Sequence, residues 1–244
     1  MGKNLLGKLK PEAIGMLELP RLPAAILDGY RALGDLTGLA SDAMDLCGIE
    51  GVVPASTLRP TDPRARVVAQ AVTVLNRRLD APVAERVRAG VSGLADMEAH
   101  NLSEPGDVLV VQGVAGISSM GGLSASVGRR QGEVGAIVDG AVRDIDHQRG
   151  IGYPVWSAGV SPVTGKWRVE TVGVNQPVRI AGIPVHPGDL VLADEVGVCF
   201  IPFARAAEVL EVARKLHASE KARLAKLADG VSLAEFYNLR PPAP

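Results

Sequence analysis

Arg143 and Asp144 stand side by side in the stretch Gly135 to Pro154, GAIVDGAVRDIDHQRGIGYP. A guanidinium presents a planar fork of donors that can hold a substrate oxyanion. A carboxylate beside it can hold a hard divalent cation. The competing reading is structural, with Asp144 as the N-cap of the short polar segment that follows. Gly121-Gly122, some twenty residues upstream, opens a helix after a strand. First-turn amides without intrahelical partners attract anions, and glycine permits close approach. A further carboxylate, Glu220, falls inside an apolar stripe made by Val209, Leu210, Ala213, Leu216, His217, Leu224 and Leu227. Charge in such a stripe is rarely buried without a partner. It points to a structural salt bridge or to a fraying helix whose last turns are exposed. His147, one turn beyond Asp144, reads as a solvated helix histidine rather than a ligand. Lys166 reads as a solvated loop lysine rather than one that lines the pocket mouth.

These residues need a scaffold. Residues 1–22 are broken by Pro11 and Pro20 and read as an N-terminal arm; residues 23–244 read as one domain. A helix is expected from Pro23 to Leu33, then a short one capped by Ser41 and ended by Gly48. A buried strand follows over 66–75 and a helix over Ala81 to Ala99. Residues 105–113 give a turn and a strand. The helix from Gly121-Gly122 to about Arg130 leads to a strand at 134–138, which ends in an acidic turn at Asp139-Gly140. Strand, helix and strand at this spacing predict a right-handed parallel crossover. That topology puts the glycine turn and Arg143-Asp144 at the same sheet edge, where ligands of open α/β sheets collect. Residues 168–202 are strand-rich, a long helix covers 204–228, and Pro241-Pro242 close the chain.

Composition agrees with an α/β core. Apolar residues make up 47% of the 244-residue chain but aromatics only 3%, so the core is aliphatic. A formal net charge of -1 gives no global field toward nucleic acid or anionic lipid, and direct nucleic-acid binding is not expected. The two cysteines, Cys47 and Cys199, read as buried free thiols in a reducing compartment. No apolar run approaches the ~20 residues of a membrane helix, and the first twenty residues lack a signal-peptide pattern. A cytoplasmic protein is expected.

The Arg143-Asp144 stretch resembles the core motif of the RraA-like family, which contains 4-hydroxy-4-methyl-2-oxoglutarate aldolases and the regulator of ribonuclease E activity. The family pattern is an Asp, twenty residues, Arg-Asp, then Gly and Pro; Arg143, Asp144, Gly152 and Pro154 match it. Ser41-Asp42-Ala43 with Gly48, Arg66-Val67 running into Ala71-Val72-Thr73, and Pro187-Gly188-Asp189 through Asp194 to Pro202 match as well. The first motif Asp is replaced by Gly122. The resemblance implies a layered α/β sandwich, with a central sheet flanked by helices and a long C-terminal helix. It implies a homotrimer or hexamer with sites between subunits, and a divalent metal, Mg2+ or Mn2+, on Asp144. It also implies a Glu220 that reaches a neighbour's site to handle protons. The expected activity is metal-dependent cleavage of a short 2-oxo acid through a pyruvate enolate, aldolase-like, with oxaloacetate decarboxylation through the same intermediate. The substrate carboxylate would lie on the amides around Met120, Gly121, Gly122 and Leu123, with the keto oxygen toward Arg143. Loss of an outer-shell carboxylate at Gly122 predicts weaker metal binding or a changed reaction, with Ser118, Ser119 or Glu133 as partial substitutes. The alternative is a non-catalytic regulator that binds an RNA-processing protein.

Overall fold

A computed structural model describes residues 4–238; residues 1–3 and 239–244, including Pro241-Pro242, lie outside the described residues. The strands in chain order are β1 (Val52–Pro54), β2 (Arg59–Pro60), β3 (Val67–Arg78), β4 (Val108–Gln112), β5 (Ser118–Met120), β6 (Gly135–Val142), β7 (Val155–Val160), β8 (Val169–Val174), β9 (Val178–Ile180), β10 (Ile183–Val185), β11 (Leu190–Ala193) and β12 (Gly197–Ile201). The helices are α1 (Ala24–Arg31), α2 (Leu36–Leu46), α3 (Val83–Ala89), α4 (Asp96–Leu102), α5 (Gly122–Gln131), α6 (Ile145–Gly150), α7 (Ala206–Ala228) and α8 (Leu233–Asn238).

Ten of the strands form one mixed sheet in the order β1-β12-β11-β3-β4-β6-β7-β2, with β5 added to β6 and β8 to β3. Its centre, β3-β4-β6-β7, is parallel. Both faces are covered, which explains the aliphatic composition. β3 shows this directly. Val68 joins a core beneath α1, α2 and α7, while Val67, Ala69 and Ala71 point to the opposite face. Val72 and Val74 join a third core with Ala99 of α4 and Ala125 of α5. Leu5, Leu9, Ile14 and Leu19 of the N-terminal segment also pack there.

Several local expectations are corrected. The helix expected over 81–99 is two short ones, because Gly90 ends α3 in the left-handed conformation at φ 67°. Gly93 then lies so close to the Val169 carbonyl that no side chain fits. Ser41 sits inside α2; the cap is Asp35, whose carboxylate accepts from the Gly38 amide at 3.2 Å. Asp139-Gly140 is not a turn but the middle of β6, which runs on to Val142. Its ladder to β7 is irregular there. Asp139 Oδ2 accepts from Ala181 N at 2.8 Å, so its charge meets a neighbouring loop instead of making a turn.

Candidate active site

β5 and β6 are parallel neighbours, and both end at the same edge. Met120 leads through Gly121 into α5; Val142 leads through Arg143 and Asp144 into α6. The two junctions are tied by Arg143 N donating to Met120 O at 3.1 Å. The expected crossover and its shared edge are present, and they bring Met120, Gly121, Gly122, Leu123, Arg143 and Asp144 around one cavity of about 240 Å³.

Asp144 does not cap its own helix. It occupies the left-handed region at φ 59° and ψ 41°, and its side chain makes no capping bond to α6. Asp tolerates this conformation better than most residues, yet it is uncommon and collects at functional sites. The conformation turns the carboxylate back onto α5, where Oδ2 accepts from Gly122 N at 2.9 Å. Asp144 thus caps the helix that starts twenty-two residues earlier in the chain. Arg143 Nε lies 3.6 Å from the same oxygen. Both side chains stay partly open to the cavity, at 35% and 48% exposure. A Cβ at Gly121 would stand 2.7 Å from Asp144 Oδ2 and 3.1 Å from Arg143 Nε, so a side chain there would displace the pair.

The Gly122 amide, one of those expected to hold a substrate carboxylate, is therefore already engaged. Leu123 N and Ser124 N, next along the first turn, have no intrahelical acceptor. Met120 is buried, and its carbonyl is taken by Arg143 N and by Ser118 Oγ at 2.9 Å. Leu123 is exposed at the rim.

Positive charge surrounds the opening. Lys166 lines it because its loop is pinned to β5: Ser118 N donates to Val163 O at 2.8 Å and Gly165 N to Ser118 O at 2.9 Å. Lys8 of the N-terminal segment lines it too, with its ammonium donating to Leu94 O. Asp96 adds a second carboxylate to the wall. Sequence reasoning missed Lys8 and Asp96, which lie 135 and 47 residues from Arg143 and share no spacing signal with it.

Of the residues offered as substitutes for the absent motif Asp, Ser119 has its Oγ buried against Gly113, without a hydrogen-bond partner among the described residues. Ser118 is spent on Met120. Glu133 is fully buried behind α5, where Tyr153 OH donates to Oε2 at 2.6 Å and His100 Nδ1 and Ser103 Oγ lie 2.9 and 2.7 Å from Oε1. Burial alone would raise Glu133; the hydrogen bond and charge of His100, then the Tyr153 and Ser103 hydroxyls, hold it below its ordinary value of 4.5. The place a side chain at 122 would take is filled by His147, whose Cδ2 would be 3.0 Å from that Cβ. His147 is otherwise solvated and meets Ser126 Oγ at 2.8 Å.

Glu220 is not brought to the cavity of its own chain. α7 buries only Ala206, Val209, Leu210 and Ala213, all in its first half. Beyond them Glu220 is exposed, and Leu224 and Leu227 of the same stripe are open to solvent. Cys199 is buried and Cys47 half-buried; neither is in a disulfide. Among the described residues no helix is long and apolar enough to cross a membrane.

The RraA-like family profile, described as Aldolase/RraA, matches residues 37–200. The chain belongs to the RraA-like family. A protein of Halalkalibacterium halodurans, provisionally named 4-hydroxy-4-methyl-2-oxoglutarate aldolase, is 30% identical over 82% of this chain and 89% of its own. The 4-hydroxy-4-methyl-2-oxoglutarate aldolase of Thermus thermophilus is 33% identical over 40% of this chain and 60% of its own. Among solved structures, an uncharacterized protein from Pseudomonas syringae pv. tomato superposes with a TM-score of 0.75 at 26% identity, over 89% of this chain and 99% of that one. Streptomyces coelicolor RraAS2, described as an unusual member of the RNase ES inhibitor RraA family, gives 0.68 at 25% identity over 83% and 96%. The α/β fold with a central mixed sheet and long C-terminal helix is that of the RraA-like proteins.

Among the described residues no three His, Cys, Asp or Glu side chains cluster as a ligand set. Asp144 nevertheless presents a half-exposed carboxylate to the cavity, with only Oδ2 hydrogen-bonded. Magnesium-type ions keep most of their waters and need one or two carboxylates. The donor set fits such a hydrated ion held by Asp144, and not a dehydrated, all-protein cage.

Proposed function

We propose that the protein is a lyase acting on a short 2-oxo acid, with the cavity between the α5 start and Arg143-Asp144 as its active site. The observation that carries this reading is the Arg143 guanidinium, which lines the cavity beside the Asp144 carboxylate and the first turn of α5. Cleavage next to a 2-oxo acid leaves a pyruvate enolate, whose charge sits on the former keto oxygen. Arg143 supplies fixed donors to that oxygen. Leu123 N and Ser124 N receive the substrate carboxylate, assisted by the helix dipole. Lys166 and Lys8 favour a second anionic group at the far end, as a dicarboxylic substrate carries. A divalent ion, Mg2+ or Mn2+ on Asp144, supplies Lewis-acid charge to the same oxygen when bound. Aldol cleavage of 4-hydroxy-4-methyl-2-oxoglutarate and decarboxylation of oxaloacetate both pass through this enolate. The exposed second half of α7 suits a contact with another copy, and a homotrimer or hexamer in which Glu220 enters a neighbouring site completes the proposal, for a protein working in the cytoplasm.

The test is pyruvate release from both substrates with Mg2+ or Mn2+ and with EDTA. Release that requires the ion supports the lyase. No release above the ion-only background favours a non-catalytic regulator that binds an RNA-processing protein.

A further inference from the structure

Behind the cavity lies a buried polar chain of Ser124, His100 and Glu133. Ser124 sits in the first turn of α5 and lines the cavity. Its Oγ is 2.9 Å from His100 Nε2 on α4, and His100 Nδ1 is 2.9 Å from Glu133 Oε1. Glu133 is fixed from its other side by Tyr153 and Ser103. An ionised Glu133 accepts the Nδ1 proton, which leaves Nε2 as the acceptor for the Ser124 hydroxyl. Hydroxyl, imidazole and carboxylate thus stand in the order and reach of a nucleophile, base and orienting acid.

Burial decides which chemistry follows. His100 and Glu133 have no solvent exposure, while Ser124 retains 6%. An acyl-transfer triad needs its imidazole to reach the leaving group itself. Here the imidazole meets the cavity only through the Ser124 hydroxyl. Resting on the lyase reading above, we propose that Ser124, backed by His100 and Glu133, is the base that removes the hydroxyl proton of a 4-hydroxy-2-oxo acid. Ser124 takes the proton from the C4 hydroxyl as its own proton passes to His100 Nε2. The C3–C4 bond breaks, C4–O becomes a carbonyl, and the bonding pair moves into the pyruvate enolate held by Arg143. Glu133 balances the imidazolium. The enolate carbon is protonated by cavity water, and His100 returns its proton through Ser124 to the hydroxide that this leaves. Ser124 is the catalytic residue; His100 and Glu133 are positioning residues.

Decarboxylation of oxaloacetate reaches the same enolate without removing a hydroxyl proton, so the two reactions separate the relay from the rest of the site. In Ser124→Ala, aldol cleavage should fall roughly 100-fold further than decarboxylation, within the usual range for a positioned base. Ser124→Thr, which keeps the hydroxyl, should recover much of that difference. Glu133→Gln should lower cleavage in preference to decarboxylation, because an amide cannot balance the imidazolium. Wild-type protein provides a test that needs no variant: cleavage should slow in D2O more than decarboxylation does. An unchanged ratio in Ser124→Ala, or equal solvent isotope effects in wild type, would overturn the relay and leave the lyase standing. Wild-type protein that turns over neither substrate would overturn the lyase reading, and the relay with it.

Discussion

At the scale of single residues, Arg143 and Asp144 line the same cavity, with Nε of one 3.6 Å from Oδ2 of the other. Arg143→Lys keeps the charge but loses the planar fork. We expect a loss of ~2–4 kcal/mol in transition-state stabilisation, the range for removing a preorganised oxyanion donor. Steady-state kinetics on the Lys variant check this, and near wild-type kcat/KM would remove Arg143 from the role. Gly122 is a second test. It lies outside the left-handed region, so a side chain there is not strained by the backbone. The obstacle is His147, whose Cγ would be 3.2 Å from the new Cβ and whose exposed ring can swing away. Gly122→Asp should tighten Mn2+ binding by roughly 10-fold, the lower end for an outer-shell carboxylate. Calorimetric titration of the folded variant decides it; unchanged affinity would show that position 122 does not serve the ion. The Arg143-Asp144 pair was legible in the sequence because adjacent residues need no fold to be neighbours. Capping of α5 by Asp144 was not, since it joins residues twenty-two apart through an uncommon backbone conformation.

At the scale of elements, α5 carries the site on one end and the buried polar chain along one side. Ser124 and Gly128 are four apart and face that cluster. A Cβ at Gly128 would meet Glu133 Oε2 and stand 2.7 Å from Tyr153 OH. Gly128→Ala therefore destabilises by ~1–3 kcal/mol through overpacking, although alanine is the better helix former. Thermal unfolding measures it, and a raised Tm would show that the cluster yields. Glu133 also gives α5 a pH signature. Its folded pKa lies below its ordinary 4.5. Its stabilising contribution is therefore complete above that value and is lost as pH falls through the lower, folded pKa. Wild-type Tm should drop steeply below pH ~4.5, and Glu133→Gln should show a shallower acid limb. Equal limbs would mean that other carboxylates govern acid unfolding. The β4-α5-β6 crossover was readable from glycine placement and apolar runs, but the short β5 between β4 and α5 was not. The length of β6 was not, because Asp139-Gly140 has the composition of a turn, and it is pairing with β4 that keeps Asp139 in the strand while the Ala181 amide meets its side chain. His100, Ser124 and Glu133 likewise share no sequence period; packing of α4 on α5 unites them.

At the scale of the whole molecule, half of α7 and its apolar residues Leu224 and Leu227 stand away from the chain's own cores. If Glu220 completes a neighbouring site, Glu220→Gln leaves assembly intact and impairs turnover. Glu220→Gln subunits mixed with Asp144→Asn subunits then regain partial activity, because some interfaces pair two intact groups. No recovery, with subunit exchange shown independently, would return Glu220 to a surface role. The central claim, that this cavity stabilises a pyruvate enolate, can be tested without knowing the physiological substrate. Exchange of the pyruvate methyl protons with D2O, followed by NMR, reads enolate formation alone. We predict exchange in wild-type protein with Mg2+ or Mn2+, abolished by EDTA and by Asp144→Asn and strongly reduced in Arg143→Lys. Exchange no faster than with the ion alone, or unaffected by either substitution, would contradict the account.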